Sequence, residues 1–280
     1  MTYMPVDGKP DRVHIGARSL DLSKLIEIYD HYDSDLAQKK ALLSEKHDRV
    51  FVSLPMGDAG SREVLALLIE HLPATFPERW PTGVKVDSSL HPLESAALLV
   101  QEDLSVMTQV GNDWVLSASC LCFPSRWDIR DKIGKNLIGI HEPVPHYEEK
   151  IGVATQNIFD KLTVERPIWR VNWTVMDSGD LHQPVAPRRP DEITITPDNI
   201  EQTLFFRRER QTLRKLPDSG DILFTIHTYS NTFAEVVQQF PEFRKNIGTT
   251  IAGASDQTVG YKGWANILND LQAWSNSSTA

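Results

Sequence analysis

Hydrophobic residues along this 280-residue chain fall into two rhythms, and the change from one to the other sets the expected architecture. The N-terminal third has helical spacing. Leu22, Leu25, Ile26, Ile28 and Tyr29, then Leu36, Leu42 and Leu43, recur among charges and predict a wet helix or helix pair over 20–46. Residues 50–54 read as a short strand closed by Pro55 and Gly57. Val64, Leu65, Leu67, Leu68, Ile69 and Leu72 form a broad apolar stripe behind Ser61 as cap, with Glu63 in the first turn, so a helix is expected over 61–72. Pro73, Pro77 and Pro81 then predict irregular backbone.

From Ala96 the rhythm becomes that of sheet. Residues 97–100 and 104–110 read as strands, Gly111-Asn112-Asp113 signals a turn, and 114–123 answers as the next strand of an antiparallel hairpin. A short helix ended by Gly134 fits 126–134, and a second fits 147–162, with Ile151, Ala154, Ile158, Phe159 and Leu162 on one face. Residues 168–176 alternate Trp169, Val171, Trp173 and Val175 against Arg170, Asn172 and Thr174. Strands at 204–208 and 222–229 follow, then helices at 233–240 and around Trp264, Ile267, Leu268, Leu271 and Trp274. Strands with helices before, between and after them predict an α+β fold with a central, mainly antiparallel sheet flanked by helices. Residues 1–18 read as a polar arm, 19–274 as a single domain and 275–280 as a frayed tail.

Composition narrows the function more than the fold. A formal charge of −9 and a pI near 5.5 give no electrostatic footprint for nucleic acid or an anionic membrane. Mean hydropathy is −0.32, and neither a secretory leader nor an apolar run of membrane-spanning length is visible. Cys120 and Cys122, the two cysteines, lie on one face of one strand in poor disulfide geometry. They read as reduced, packed thiols of a soluble cytoplasmic protein. No Gly-x-Gly-x-x-Gly, P-loop, Gly-x-Ser-x-Gly or cysteine-rich cluster is present, so this chain is not expected to carry NAD(P)H or an iron–sulfur centre itself.

What chemistry remains lies in a few positions. His141 and His146 bracket Pro143 and Pro145, which predicts extended or polyproline-like backbone that fixes where an imidazole points. They are either ligands for a metal or haem iron, or loop residues that hydrogen-bond locally. Glu102-Asp103 is either an acid pair for proton transfer or cation binding, or a solvated turn. Arg170 and Asn172 share a strand face that is either a ligand surface or a wet one. Arg207, Arg208, Glu209, Arg210, Arg214 and Lys215 make the one dense basic cluster, suited to carboxylates or to a solvated strand end.

Taken in order over residues 45–245, a series of motifs resembles the haem-dependent oxidative N-demethylase-like family. The series is Val100-Gln101-Glu102-Asp103-Leu104, Phe123-Pro124-Ser125-Arg126-Trp127 with Lys132-Ile133-Gly134, and Ile140-His141-Glu142-Pro143-Val144-Pro145. It continues through Arg170-Val171-Asn172-Trp173 and the run from Arg207 to Pro217, and ends at Phe224-Thr225-Ile226-His227-Thr228-Tyr229. The resemblance implies a PAS-like sheet holding haem b, and oxidative removal of a methyl group from a small secondary amine such as dimethylamine, with oxygen consumed and formaldehyde released. It implies electrons from NADPH through partner subunits carrying FMN and an iron–sulfur centre, and a folate-binding subunit for the one-carbon product. His141 is then the proximal iron ligand, with His146 in reserve. Arg126, Arg170, Arg207 and Arg210 would pair with the haem propionates, His227 would touch a propionate or the pocket, and Trp127 and Asn172 complete the cofactor surroundings. Glu102 or Asp103 would hold the substrate ammonium. The competing reading is a non-catalytic haem- or gas-sensing module of the same fold, and a third is a scaffold without haem.

Overall fold

The computed structural model describes residues 3–10, 15–145, 147–185 and 194–277. The strands are β1 (Arg18–Ser19), β2 (Phe51–Ser53), β3 (Asp103–Val110), β4 (Asp113–Cys120), β5 (Ile168–Met176), β6 (Phe205–Lys215) and β7 (Ile222–Thr232). Among the described residues they form one sheet in the order β1-β5-β6-β7-β3-β4-β2, with every neighbour pair antiparallel. The fold is therefore α+β with a central antiparallel sheet, and "PAS-like" describes it only loosely.

Strand pleating divides the sheet chemically. Pairing of Asn172 with Glu209 and of Glu209 with Thr228 puts Arg170, Asn172, Arg207, Glu209, Gln211, Thr228 and Ser230 on one face. Trp169, Arg208, Arg210, His227 and Tyr229 point the other way. The helix Val153–Lys161 covers one end of the first face, where Phe159 and Leu162 pack with Met107, Trp114, Leu213, Ile222 and Ile226. That helix stops short of Glu209, Thr228 and Ser230, whose polar side chains would be costly under an apolar lid. The second face is buried under Tyr32–Glu45, Asp58–Thr75 and Pro92–Ala97, and further along it under the C-terminal helices around Trp264 and Trp274.

Several expected elements differ. Residues 97–100 are not a strand: Pro92 opens a helix capped by His91, whose side chain accepts the Leu93 N–H at 3.2 Å, and this helix runs to Ala97. Its apolar run is buried all round, a case in which periodicity does not separate helix from strand. The helix expected from Ser61 begins at Asp58 and continues through Pro73 to Thr75, and the Ser61 hydroxyl donates back to the Gly57 carbonyl at 2.7 Å. Over 126–134 the helix reduces to the short 3₁₀ turn Ile129–Asp131. Two helices, Phe243–Ala252 and Asp256–Lys262, were not expected, and the last helix, Leu268–Asn276, runs into the stretch read as a frayed tail. The strand expected at 204–208 runs from Phe205 to Lys215, so residues 209–215, read as a charged strand end, are part of the ladder with β5 and β7.

Asp103 shows how the sheet holds its connecting turns. Its carboxylate is 1% exposed, and its two oxygens accept the N–H groups of Cys122 and Phe123, each at 2.8 Å. Burial pushes its pKa up to about 6 in spite of those bonds and the nearby Lys39. A folded-state pKa above the unfolded one means that the folded chain takes up a proton between about pH 4 and 6, so stability falls as pH rises through that window. Asp103→Asn is expected to abolish this slope and to cost about 2 kcal/mol at pH 7, because one backbone N–H then faces an amide NH₂. Urea unfolding at pH 4.5 and 7 checks both; an unaltered slope would show that Asp103 is not its source.

Candidate functional site

Asn136 begins the local geometry of the first histidine. Its side chain accepts the Gly139 N–H at 3.0 Å and caps a one-turn helix, Leu137–Ile140. Pro143, three residues past Ile140, cannot continue it. His141 therefore closes the turn at φ −99°, ψ 10°, in the sparsely populated bridge region, instead of the extended or polyproline-like backbone expected. Its imidazole folds back so that Nδ1 lies 2.8 Å from the Leu137 carbonyl. A carbonyl only accepts, so Nδ1 carries the proton and Nε2 is left with a free lone pair. The Tyr147 ring stacks on the imidazole at 4.1 Å with 8° between the planes. Burial lowers the His141 pKa to about 4, helped by the cations Lys132 and Arg170, so the ring is neutral at pH 7. A cleft of about 410 Å³, within the usual range for ligand sites, opens beside it between Ile138, Glu142, Val144 and Tyr147. His146 lies outside the described residues.

Arg170 projects from β5, and its charge is felt at both His141 and Tyr147. Burial lowers its pKa, and Glu209 opposes that shift. Its Nε has no hydrogen-bond acceptor among the described residues, and the same holds for Arg126 Nε, Thr228 Oγ1 and Ser230 Oγ. Asn172 donates to Glu209 at 3.2 Å. Arg126 stands at φ 62°, a left-handed conformation costly for any residue but glycine, held by its N–H bond to the Gln183 carbonyl and an ion pair with Asp177. Trp127 beside it packs on the cluster around Ile129 and Leu137, behind the turn that carries His141.

The remaining expected residues are distributed otherwise. The basic cluster on β6 is interior: Arg207 and Arg208 are 1% exposed and Arg210 is 2%. Arg207 spends its donors on Ser125 Oγ and on the carbonyls of Phe123, Asp180 and Leu181, at 2.8 to 2.9 Å. It ties two loops to the sheet and commits most of its five donors to them. Arg210 faces the opposite side, bonded to the carbonyls of Lys24 and Leu25 and 3.4 Å from Glu27. His227 shares that side, stacked on Tyr229 at 4.4 Å with Nδ1 3.1 Å from Glu102. Glu102 is fully buried and also accepts the Glu27 N–H at 2.9 Å. Burial pushes its carboxyl up, but His227 and that N–H outweigh it and hold it below the usual range. Neither Glu102 nor Asp103 is solvated, and they point to opposite sides of the sheet.

His141, Arg170, Asn172 and Arg126 are thus gathered on or beside one face, whereas Arg210, His227 and Glu102 fasten the N-terminal segment to the other. Sequence reasoning missed Glu209, Thr228, Ser230 and Tyr147. Alternation along β6 puts Glu209 with Arg207, a signal the composition of the basic cluster obscured.

Fold and site together define an α+β protein whose sheet presents a polar, arginine-bearing face near one neutral, pre-oriented imidazole. A family model described as haem-dependent oxidative N-demethylase, alpha subunit-like, matches residues 16–271, nearly the whole chain, and the chain belongs to that family. The residues present fit a haem. An axial ligand requires one neutral imidazole nitrogen with its other nitrogen hydrogen-bonded, which is the state of His141. The Nε donors of Arg126 and Arg170, which lack acceptors among the described residues, suit carboxylates such as propionates. Among the described residues no cluster of three or more His, Cys, Asp or Glu is arranged for a protein-held metal ion, and no helix is long and apolar enough to cross a membrane.

Proposed function

We propose that this chain is the haem b-binding catalytic subunit of an oxidative N-demethylase acting on a small secondary amine of the dimethylamine kind. The observation that carries the reading is the His141 imidazole, with Nδ1 held by Leu137 and its lone pair on Nε2, near a sheet face that carries Arg170, whose Nε has no acceptor among the described residues. Haem, when bound, supplies the oxygen activation and one-electron chemistry that amino-acid side chains lack. Dioxygen, electrons and protons then convert the amine to its demethylated form, formaldehyde and water.

The chain's own residues bind and orient. His141 would hold the haem iron through Nε2, and the Leu137 carbonyl raises the basicity of that nitrogen and fixes the ring plane. Tyr147 limits rotation of that ring by stacking on it. Arg170 and Arg126 supply N–H donors for propionates. Arg207 acts at one remove, holding the loops on either side of Arg126 in place. Electrons come from NADPH through partner subunits carrying FMN and an iron–sulfur centre, a division of labour in keeping with the family's alpha-subunit-like description. A folate-binding subunit takes up the one-carbon product. The free, buried thiols of Cys120 and Cys122 accord with a reducing, cytoplasmic setting.

Haem-loaded protein supplied with an electron donor is expected to release formaldehyde from dimethylamine in step with oxygen uptake. Full haem loading with no formaldehyde from any small secondary amine would remove the demethylase and leave a haem-binding module.

A further inference from the structure

Two kinds of unmet hydrogen-bonding capacity face the site, and they call for opposite charges. Arg170 Nε and Arg126 Nε are donors without acceptors and suit an anion. Around Glu209 the demand reverses. Glu209 is 7% exposed, and Thr228, its cross-strand partner on β7, is 8% exposed. The carboxylate accepts from the Ser125 hydroxyl, from Asn172 Nδ2 at 3.2 Å and from Gln211 Nε2 at 3.0 Å. A carboxylate has roughly four acceptor positions, and none of those three donors carries a charge. Arg170 and Arg207 are the cations that feel Glu209. Arg207 directs its donors to other groups, and no described residue accepts from Arg170 Nε. Thr228 Oγ1 has no partner, nor has Ser230 Oγ, opposite Arg207 in the same ladder.

One full negative charge and two hydroxyls with free lone pairs therefore lie along one stretch of the β6–β7 ladder. A secondary ammonium ion brings one positive charge and two N–H donors, the complement of that arrangement. The ammonium can donate to the acceptor position that the three uncharged donors leave open on Glu209 and to the Thr228 and Ser230 hydroxyls, which an anion or a ligand without N–H donors cannot do. Resting on the demethylase reading, we infer that Glu209, with Thr228 beside it, anchors the protonated amine substrate, in place of Glu102 or Asp103. Asp103 gives both oxygens to backbone N–H groups, and Glu102 is enclosed on the opposite face with His227.

The test titrates dimethylammonium chloride into haem-loaded protein, read by difference absorption, with dimethyl ether as the uncharged isostere and formaldehyde release as the second readout. Glu209→Gln is expected to raise Kd and KM about tenfold or more while changing kcat much less, the pattern of lost ground-state binding. Glu209→Asp restores part of the affinity, Thr228→Val weakens ammonium binding about threefold on the scale of one lost hydrogen bond, and ether binding is the same in all four proteins. If Glu209→Gln does not fold, Glu209→Asp and Thr228→Val decide. Ammonium affinity unchanged in the variants, or absent from the parent protein, overturns the anchor. Turnover in the parent with no Glu209 dependence overturns the anchor and leaves the function standing. Glu209-dependent ammonium binding without formaldehyde leaves the anchor and overturns the demethylase.

Discussion

Replacing His141 with alanine is expected to remove stable haem binding while leaving the fold in place. Among the described residues the side chain's one hydrogen bond, from Nδ1 to the Leu137 carbonyl, is local to its own turn. That carbonyl is also approached by the backbone N–H of His141 at 3.3 Å, so truncation does not orphan it. What is lost is the free Nε2 and the stacking that aimed it. A loss of haem affinity of roughly 100-fold, or about 2.7 kcal/mol, is expected, with a far-ultraviolet circular dichroism spectrum like that of the parent. Imidazole added at millimolar concentration should enter the space left by the side chain and restore part of the Soret intensity. An unchanged spectrum in His141→Ala would remove His141 from the site, and His146 would become the next candidate.

The largest expected stability effect lies elsewhere, at Lys39. Its ammonium is completely buried and donates to three carbonyls: Ala97 at 3.0 Å, Val100 at 2.9 Å and Glu102 at 2.5 Å. It also lies 5.9 Å from the centre of the Phe123 ring. Those carbonyls span the passage from the helix Pro92–Ala97 into β3, where the chain leaves one hydrogen-bonding pattern before the next begins. A lysine fits because its ammonium has three donors that spread to three separate acceptors. Lys39→Met keeps most of the volume and leaves all three carbonyls without that donor, each a loss of about 1 to 3 kcal/mol in isolation. Relaxation reduces the sum, and a loss of about 3 to 5 kcal/mol is expected, comparable to breaking a buried charged network. That corresponds to a fall in Tm on the order of 10 °C. A urea-unfolding difference below about 1 kcal/mol would mean that the carbonyls find other donors.

What the sequence revealed and what it hid divide along local and non-local lines. The hairpin from β3 to β4 and the alternation of β5 were legible because turn chemistry at Gly111-Asn112 and period-two spacing are written within ten residues. β6 was read too short because Arg207, Arg208 and Arg210 look like the solvated end of a strand. Their burial depends on acceptors far away in the chain: Phe123 and Leu181 for Arg207, Tyr3 for Arg208, Lys24 for Arg210. The same distance hid Glu209 and Thr228, which become neighbours only through the β6–β7 register. His141 was found through its motif, but its backbone was not, since the Asn136 cap makes a helical turn where the prolines alone suggested extension. Glu102 and Asp103 look like a pair in sequence, and the strand pleat separates them.

The central claim is that this chain holds haem through His141. The most direct test is the absorption spectrum of the purified protein after haem reconstitution, recorded with and without dithionite. The account predicts a Soret band at one haem per chain that shifts on reduction and is lost in His141→Ala. Failure of the parent chain to take up haem would contradict it, leaving the polar sheet face and its orphaned arginine donors without the group they are proposed to hold.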